Sequence, residues 1–237
     1  MLNEISIFVS IYEYFIHKSE NSHYCKKYGI FIQRLKIVTE EAPSLKRHSP
    51  EDVLKSLRVF RAKDAIKAGV SQPTLSRLTA KGRIVRLDHG IYHHIETEVD
   101  QSNIDFIIAC HRLGEDSVIG GLSALFHYVL IPQVPQQLWI LIPHENRGKF
   151  PNYRIIHTKN DLTVGIEDHL DYRIVTIERA IVEAFRYASK MGYQTALTAA
   201  RTALAEEKTT EEKIHKTAKD LGLWKVMVTN WEAMTTK

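Results

Sequence analysis

Ser71, Gln72, Thr74, Ser76, Arg77 and Lys81 crowd into eleven residues, and each ends in a group that donates or accepts a hydrogen bond. Leu75 and Leu78 are interleaved with them. On a helix, a spacing of three turns the leucines to one side and leaves the polar groups on the other. A glutamine amide matches an adenine edge and an arginine fork matches a guanine edge, each worth about 1–3 kcal/mol of discrimination. Lysine and hydroxyl groups suit phosphate oxygens. The chemistry on offer is therefore recognition by hydrogen bonding and charge. Any surface helix carries polar residues, so this face needs support from its surroundings.

That support follows at once in "RIVRLDHGIYHH", residues 83–94. Ile84 and Arg86 alternate with Val85 and Leu87, the chain turns at Asp88, His89 and Gly90, and it returns through Ile91 and Tyr92. Period-two alternation around such a turn predicts a β-hairpin. Arg83, Arg86 and His89 are placed to touch backbone phosphates or reach a minor groove, and Tyr92 to donate to a phosphate. Helix, turn, helix and basic hairpin in this order specify duplex DNA far better than any one piece does.

The elements that must hold these groups can be read outward from Gly69, taken as the turn between two helices. Ala62, Ala65, Ile66 and Ala68 supply small and apolar contacts before it; Val70, Leu75 and Leu78 supply them after it. A turn between close-packed helices needs this layout, with a glycine free to adopt positive φ. Ser71 caps the second helix, and Pro73 fits its first turn. Asp64 departs from the pattern, standing where many such motifs carry an apolar residue. Upstream, "SPEDVLKSL" opens a helix with Ser49 as cap, Pro50 at the first position and acids in the first turn.

These pieces assemble into a winged helix-turn-helix domain over residues 45–95. Residues 1–44 form an N-terminal extension that the pattern does not assign, and 95–100 read as a short polar linker. Residues 101–237 read as a small mixed sheet with a helical C-terminal tail, so the fold class is α+β. Helices are expected at 102–114, with Ile104, Ile107, Ile108 and His111 on one face, and at 121–130, ended by Pro132. β-like runs lie at 137–142, 153–157, 161–164 and 172–176. From Thr176 a helix shows Ile177, Ala180, Ile181, Ala184, Phe185 and Ala188 on one face. Helices at about 193–205, 210–221 and 223–234 complete the tail, the middle one behind a capping box at Thr209 to Glu212.

Charge agrees with this division. The net charge of the 237-residue chain is +4, yet residues 45–94 alone hold eleven Lys/Arg against four Asp/Glu. A basic segment on a slightly acidic body points to a polyanion, although a solvated charged face explains charge alone equally well. Two cysteines, Cys25 and Cys110, make neither a disulfide framework nor a metal-type spacing, which fits a reducing cytoplasm. No apolar run reaches the roughly 20 residues of a membrane span, and no secretory leader is recognisable, so no membrane partner is expected.

Enzyme chemistry finds less purchase. The chain has 12 histidines, but His93–His94, Cys110–His111 and His144–Glu145 are neighbours whose side chains point apart, so no metal site is expected. No P-loop, nucleophile elbow or dinucleotide fingerprint occurs, and no cofactor is implied. "EEK" at 206–208 and 211–213 reads as solvated helix–loop sequence rather than a nuclease centre. Ser123 and His127 lie four apart on one helix with no oxyanion turn, so no catalytic residue is assigned. Leu125, Phe126 and Tyr128 read as core. Trp224, Met227, Val228 and Trp231 do too, with any exposed share of that stripe open to a partner.

With the winged helix in place, "RVFRAKDAIKAGVSQPTLSRLTAKGRIVRLDHGIYHH", "IGGLSALFHYVLIPQVPQQLWILIP" and "VTIERAIVEAFRYASKMGYQTALTAAR" together resemble the AbiEi family of antitoxins. The resemblance covers roughly residues 49–234, and its most specific parts are "GIYHH" and "LSAL…H…L…QVP" at 122–135. It implies a winged helix that binds its own operator, at repeated sites as a homodimer or as cooperating monomers, and represses its operon. It also implies a C-terminal domain that counters a nucleotidyltransferase toxin encoded alongside, forming a type IV toxin–antitoxin pair, and a non-enzymatic protein. Gln72, Ser76, Arg77 and Lys81 then take the reading positions, and Arg83 and Arg86 the backbone clamps. The alternatives are a protein-interaction module, a stand-alone winged-helix regulator without antitoxin activity and, more distantly, a nucleic-acid-processing enzyme.

Overall fold

The computed structural model describes residues 49–236 apart from 147 and 149. Residues Ser49–Lys237 form one compact unit. The extension expected over 1–44, and residues 45–48 of the basic block, lie outside the described residues.

Ser49 opens α1 (Pro50–Leu57) with a capping box. Its Oγ accepts from the Asp52 N–H at 3.1 Å, and the Asp52 carboxylate accepts from the Ser49 N–H at 3.1 Å. Such a cap contributes about 1 kcal/mol. Next come β1 (Val59–Arg61), α2 (Ala62–Lys67), α3 (Gln72–Ala80), β2 (Ile84–Asp88) and β3 (Ile91–His94). The three strands form an antiparallel sheet in the order β1-β3-β2. This is the winged-helix arrangement the sequence predicts, with one addition. Residues 59–61, which the sequence pattern leaves unassigned, form a strand in which Val59 and Phe60 pair with His93 and Tyr92. β-Branched and aromatic residues prefer the pleated surface, so the helix starts only at Ala62. Ile66 is half-exposed and Ala68 is exposed, so the contacts expected of them fall to Ala65, which is fully buried.

Both faces of the small sheet carry buried residues. Phe60 and Ile84 join Leu54, Ala65, Val70, Leu75 and Leu78 in a core beneath the helices, with Tyr92 packed at its edge. Val59 and Ile91 belong instead to the large C-terminal core, with Leu87 packed against it. Each fully buried aliphatic or aromatic side chain contributes about 1.5–3 kcal/mol. Polar ties reinforce the second face: Arg58 donates to Asp171 at 3.1 Å and to the Glu98 carbonyl at 2.8 Å.

The C-terminal part begins with a 3-10 turn (Gln101–Asn103) leading into α4 (Ile104–Leu113). β4 (Val118–Ile119), α5 (Gly121–His127), β5 (Leu138–Pro143), β6 (Tyr153–Thr158), β7 (Ile166–Asp168) and β8 (Arg173–Val175) follow. The sheet order is β6-β5-β4-β8-β7, with β5/β6 and β4/β8 parallel and the other two pairings antiparallel. The tail is α6 (Ile177–Arg186), α7 (Ala188–Met191), α8 (Tyr193–Ala205), α9 (Glu211–Asp220), α10 (Trp224–Val228) and α11 (Trp231–Thr235). The fold is α+β with a mixed sheet.

Several boundaries differ from expectation, each for a local reason. In α4 the buried residues are Ile107, Ala109, Cys110 and Leu113, and Ile104, Ile108 and His111 are only partly covered. The helix is contacted by β1 and β3 as well as β4, which rotates the covered stripe. Residues 161–164 are not a strand: Asp161 folds back to accept from the Thr163 N–H and hydroxyl at 2.8 Å, and the strand forms at β7 instead. α5 stops at His127, before Pro132. Leu130 N–H reaches the Leu125 carbonyl and Val129 N–H the Phe126 carbonyl, each at 2.9 Å, with Val129 at φ 57°. This is a Schellman closure with valine in the place usually taken by glycine. Phe126, expected in the core, is 40% exposed. α9 is capped by Thr210, whose Oγ1 accepts from Lys213 N–H, while Thr209 donates to Glu178. Residues 223–234 form two short helices rather than one, and Val228 is exposed.

Candidate nucleic-acid interface

Gly69, at φ +90°, makes the turn that brings α2 and α3 together, a backbone shape that disfavours any side chain. Ser71 caps α3: its Oγ lies 3.4 Å from the Thr74 N–H and 2.9 Å from the Thr74 hydroxyl. Leu75 and Leu78 are buried against the small core. That orientation fixes the rest, and Gln72, Ser76, Arg77 and Lys81 are all exposed. None of these four side chains is engaged in a hydrogen bond or ion pair among the described residues. Ser71 and Thr74 are mainly occupied with the cap. Lys63 and Lys67 on α2 are exposed as well, and the sequence reading passed over them.

The hairpin is built differently. Arg83 donates through Nε to Glu51 on α1 and through Nη2 to Glu96 at 3.0 Å; Lys55 reaches the same Glu96 at 2.7 Å. The hydrogen bond from Arg83 holds the Glu51 carboxyl below the usual range, and those from Lys55 and then Arg83 do the same for Glu96. Buried His94 places Nε2 3.4 Å from Glu51 and accepts the Glu96 N–H at Nδ1, so its proton sits on Nε2. Arg83, expected as a phosphate clamp, is thus held by two carboxylates. Tyr92, expected to meet a phosphate, is half-buried and stacks on Phe60 with ring centroids 6.1 Å apart.

Arg86 and His89 stand exposed at the tip. Arg86 donates through Nε to the Asp88 carbonyl at 3.2 Å, and its Nη2 lies 2.8 Å from His89 Nδ1. The Asp88 carboxylate accepts from the His89 N–H at 2.6 Å, and Arg112 of α4 donates to its other oxygen. Asp64, the departure in the motif, is paired with Arg61 at 2.6 Å. Burial opposes its ionisation, but the Arg61 hydrogen bonds outweigh burial and its carboxyl lies below the usual range.

What this surface can do is donate. α3 offers an amide, a hydroxyl, a guanidinium and an ammonium on one rod, and the hairpin tip adds a second guanidinium and an imidazole beside it. The other arrangements considered from sequence resolve into packing. Ser123 Oγ accepts from the Trp139 N–H at 2.9 Å, and His127 packs its ring on Phe106 and Tyr128. Trp224 and Trp231 lie 5.1 Å apart with His215 against both. Among the described residues no group of three or more His, Cys, Asp or Glu could hold a metal ion, and no helix is long and apolar enough to cross a membrane.

Residues 51–92 match the family model described as a transcriptional regulator, AbiEi antitoxin. No curated protein matches the chain. The match spans α1 to the returning strand of the wing, which supports the family assignment read from the sequence.

Proposed function

We propose that this chain, which carries the winged helix of the AbiEi antitoxin regulators, is a non-enzymatic repressor that binds double-stranded DNA. α3 lies in the major groove with Gln72, Ser76, Arg77 and Lys81 toward the bases and phosphates, and the wing tip follows the adjacent backbone. The observation that carries this is the uncommitted polar face of α3, held outward by Leu75 and Leu78. The family resemblance extends the reading to repression of its own operon and to neutralising a nucleotidyltransferase toxin encoded alongside, through the C-terminal part.

The direct test is binding of the full chain to the duplex upstream of its own gene, beside a shuffled duplex of equal composition. A specific regulator prefers its site by about a thousandfold or more, and the logarithm of its affinity falls linearly with log salt. Equal affinity for both duplexes would overturn the reading. Co-expression with a neighbouring nucleotidyltransferase gene, scored by growth, tests the antitoxin half separately.

A further inference from the structure

We propose that Arg112, on α4 of the C-terminal part, is a positioning residue for the wing's contact with DNA. The inference rests on the duplex-binding reading above and extends its machinery beyond residues 51–92.

The wing tip hangs on Asp88. One carboxylate oxygen accepts the His89 N–H at 2.6 Å and so shapes the turn, which Gly90 completes at φ +73°. The other oxygen accepts from Arg112. The Asp88 carbonyl receives Arg86 Nε at 3.2 Å. The strand register is irregular here, passing from Arg86 opposite Tyr92 to Asp88 opposite Ile91. Such a bulge re-aims the side chains next to it. The Arg86 guanidinium then donates to His89 Nδ1 at 2.8 Å, which puts the imidazole proton on Nε2, away from that contact. Two donors are thereby presented to a phosphate from one fixed frame.

Arg112 belongs to the C-terminal part, on α4. Its charge lies within electrostatic reach of the Tyr153 hydroxyl, on the first residue of β6. The relay therefore runs from Arg112 on α4 to Asp88 and on to Arg86 and His89. Charge gives a second reason for the pair. A lone carboxylate at the wing tip would fold onto the Arg86 guanidinium and repel the approaching phosphate; Arg112 both orients Asp88 and compensates its charge. Neither effect is available to the winged helix alone, because Arg112 lies 24 residues beyond Asp88.

The experiment measures affinity of the full chain for its upstream duplex across a salt series, with hydroxyl-radical protection of the flank under the wing. Arg86→Ala should remove one phosphate contact: about fivefold weaker binding at about 0.15 M salt, with the salt slope reduced by about 1. Arg112→Met should reproduce most of that loss together with the loss of flank protection, while protection under α3 persists. Arg112→Lys, which keeps the charge, should retain most of both. The double variant Arg86→Ala/Arg112→Met should bind as Arg86→Ala does. If Arg112→Met fails to fold, Arg112→Lys and Arg112→Gln carry the comparison, the Gln variant showing the loss. Unchanged slope and flank protection in folded Arg112→Met or Arg112→Gln, or losses that multiply in the double variant, overturn the inference while leaving the duplex-binding reading intact. Absence of site preference in the unmodified chain overturns both.

Discussion

The outer face of α3 and the wing are both polar and cationic, yet they spend their charges differently. Along α3, Gln72, Ser76, Arg77 and Lys81 are exposed and unengaged by side-chain partners among the described residues. In the wing, Arg83 is held by Glu51 and Glu96, Arg86 leans on His89 and Asp88, and Tyr92 lies on Phe60. A free donor is ready to replace water at a base edge. A committed one must first give up a protein partner, so it serves better as scaffold. On the proposed function, the helix would read and the wing mainly hold, with only its tip presented.

The strongest way to break this contrast is Arg77→Ala. It should weaken operator binding by about 1–3 kcal/mol and relax preference at one base position, measured by titration against a panel of single-base variants. A loss spread evenly over all sequences would show that Arg77 grips phosphate and that α3 sits differently in the groove. A smaller effect is expected of Arg83→Met, which should leave affinity within about twofold, because the guanidinium is already occupied, against the roughly fivefold of a phosphate clamp. Its cost should appear in thermal unfolding, since Glu51 and Glu96 lose their shared partner. A full fivefold loss of affinity would mean that Arg83 swings to the duplex and that the wing is less committed than its contacts imply.

The smallest effect sharpens how the wing is seated. His111, on α4, is held below the usual histidine range, first by desolvation and then by the Arg61 charge, with Asp171 and Asp64 opposing. A depressed folded-state pKa means that the unfolded chain takes up protons first as pH falls. The stabilising contribution is therefore complete above about 6.5 and is lost below it, as pH passes through the folded value. The melting temperature should decline from pH 7.5 to 5.5, and His111→Asn should blunt the decline. His127, which desolvation also holds low, accounts for part of what remains. A pH profile identical in the His111→Asn variant would remove His111 from this role.

Much of the candidate surface was legible because its determinants are local. The Ser49 and Ser71 caps, the Gly69 turn, the leucine spacing of α3 and the alternation of the hairpin are all patterns within a few residues. What stayed hidden depends on partners far along the chain. Glu51 lies 32 residues before Arg83, and Arg112 lies 24 beyond Asp88, so neither pairing leaves a local trace. Strands β1 and β4 span three and two residues, too few to display a period, and exist because β3 and β5 present edges to them. The run at 161–164 misled because its aspartate closes a side-chain turn that competes with any ladder. Asp64 looked like a flaw in the motif until Arg61, three residues earlier, proved to be its partner.

Because Val59 and Ile91 are enclosed by one hydrophobic interior and Phe60 and Ile84 by the other, the sheet between them is a party wall. Cutting the chain near residue 95 would strip that wall on one side and leave valine, leucine and isoleucine facing water, an invitation to self-association. Exchanging operator preference between relatives is then best done by repainting the outside of α3, since transplanting the whole cassette would require its neighbour to move with it.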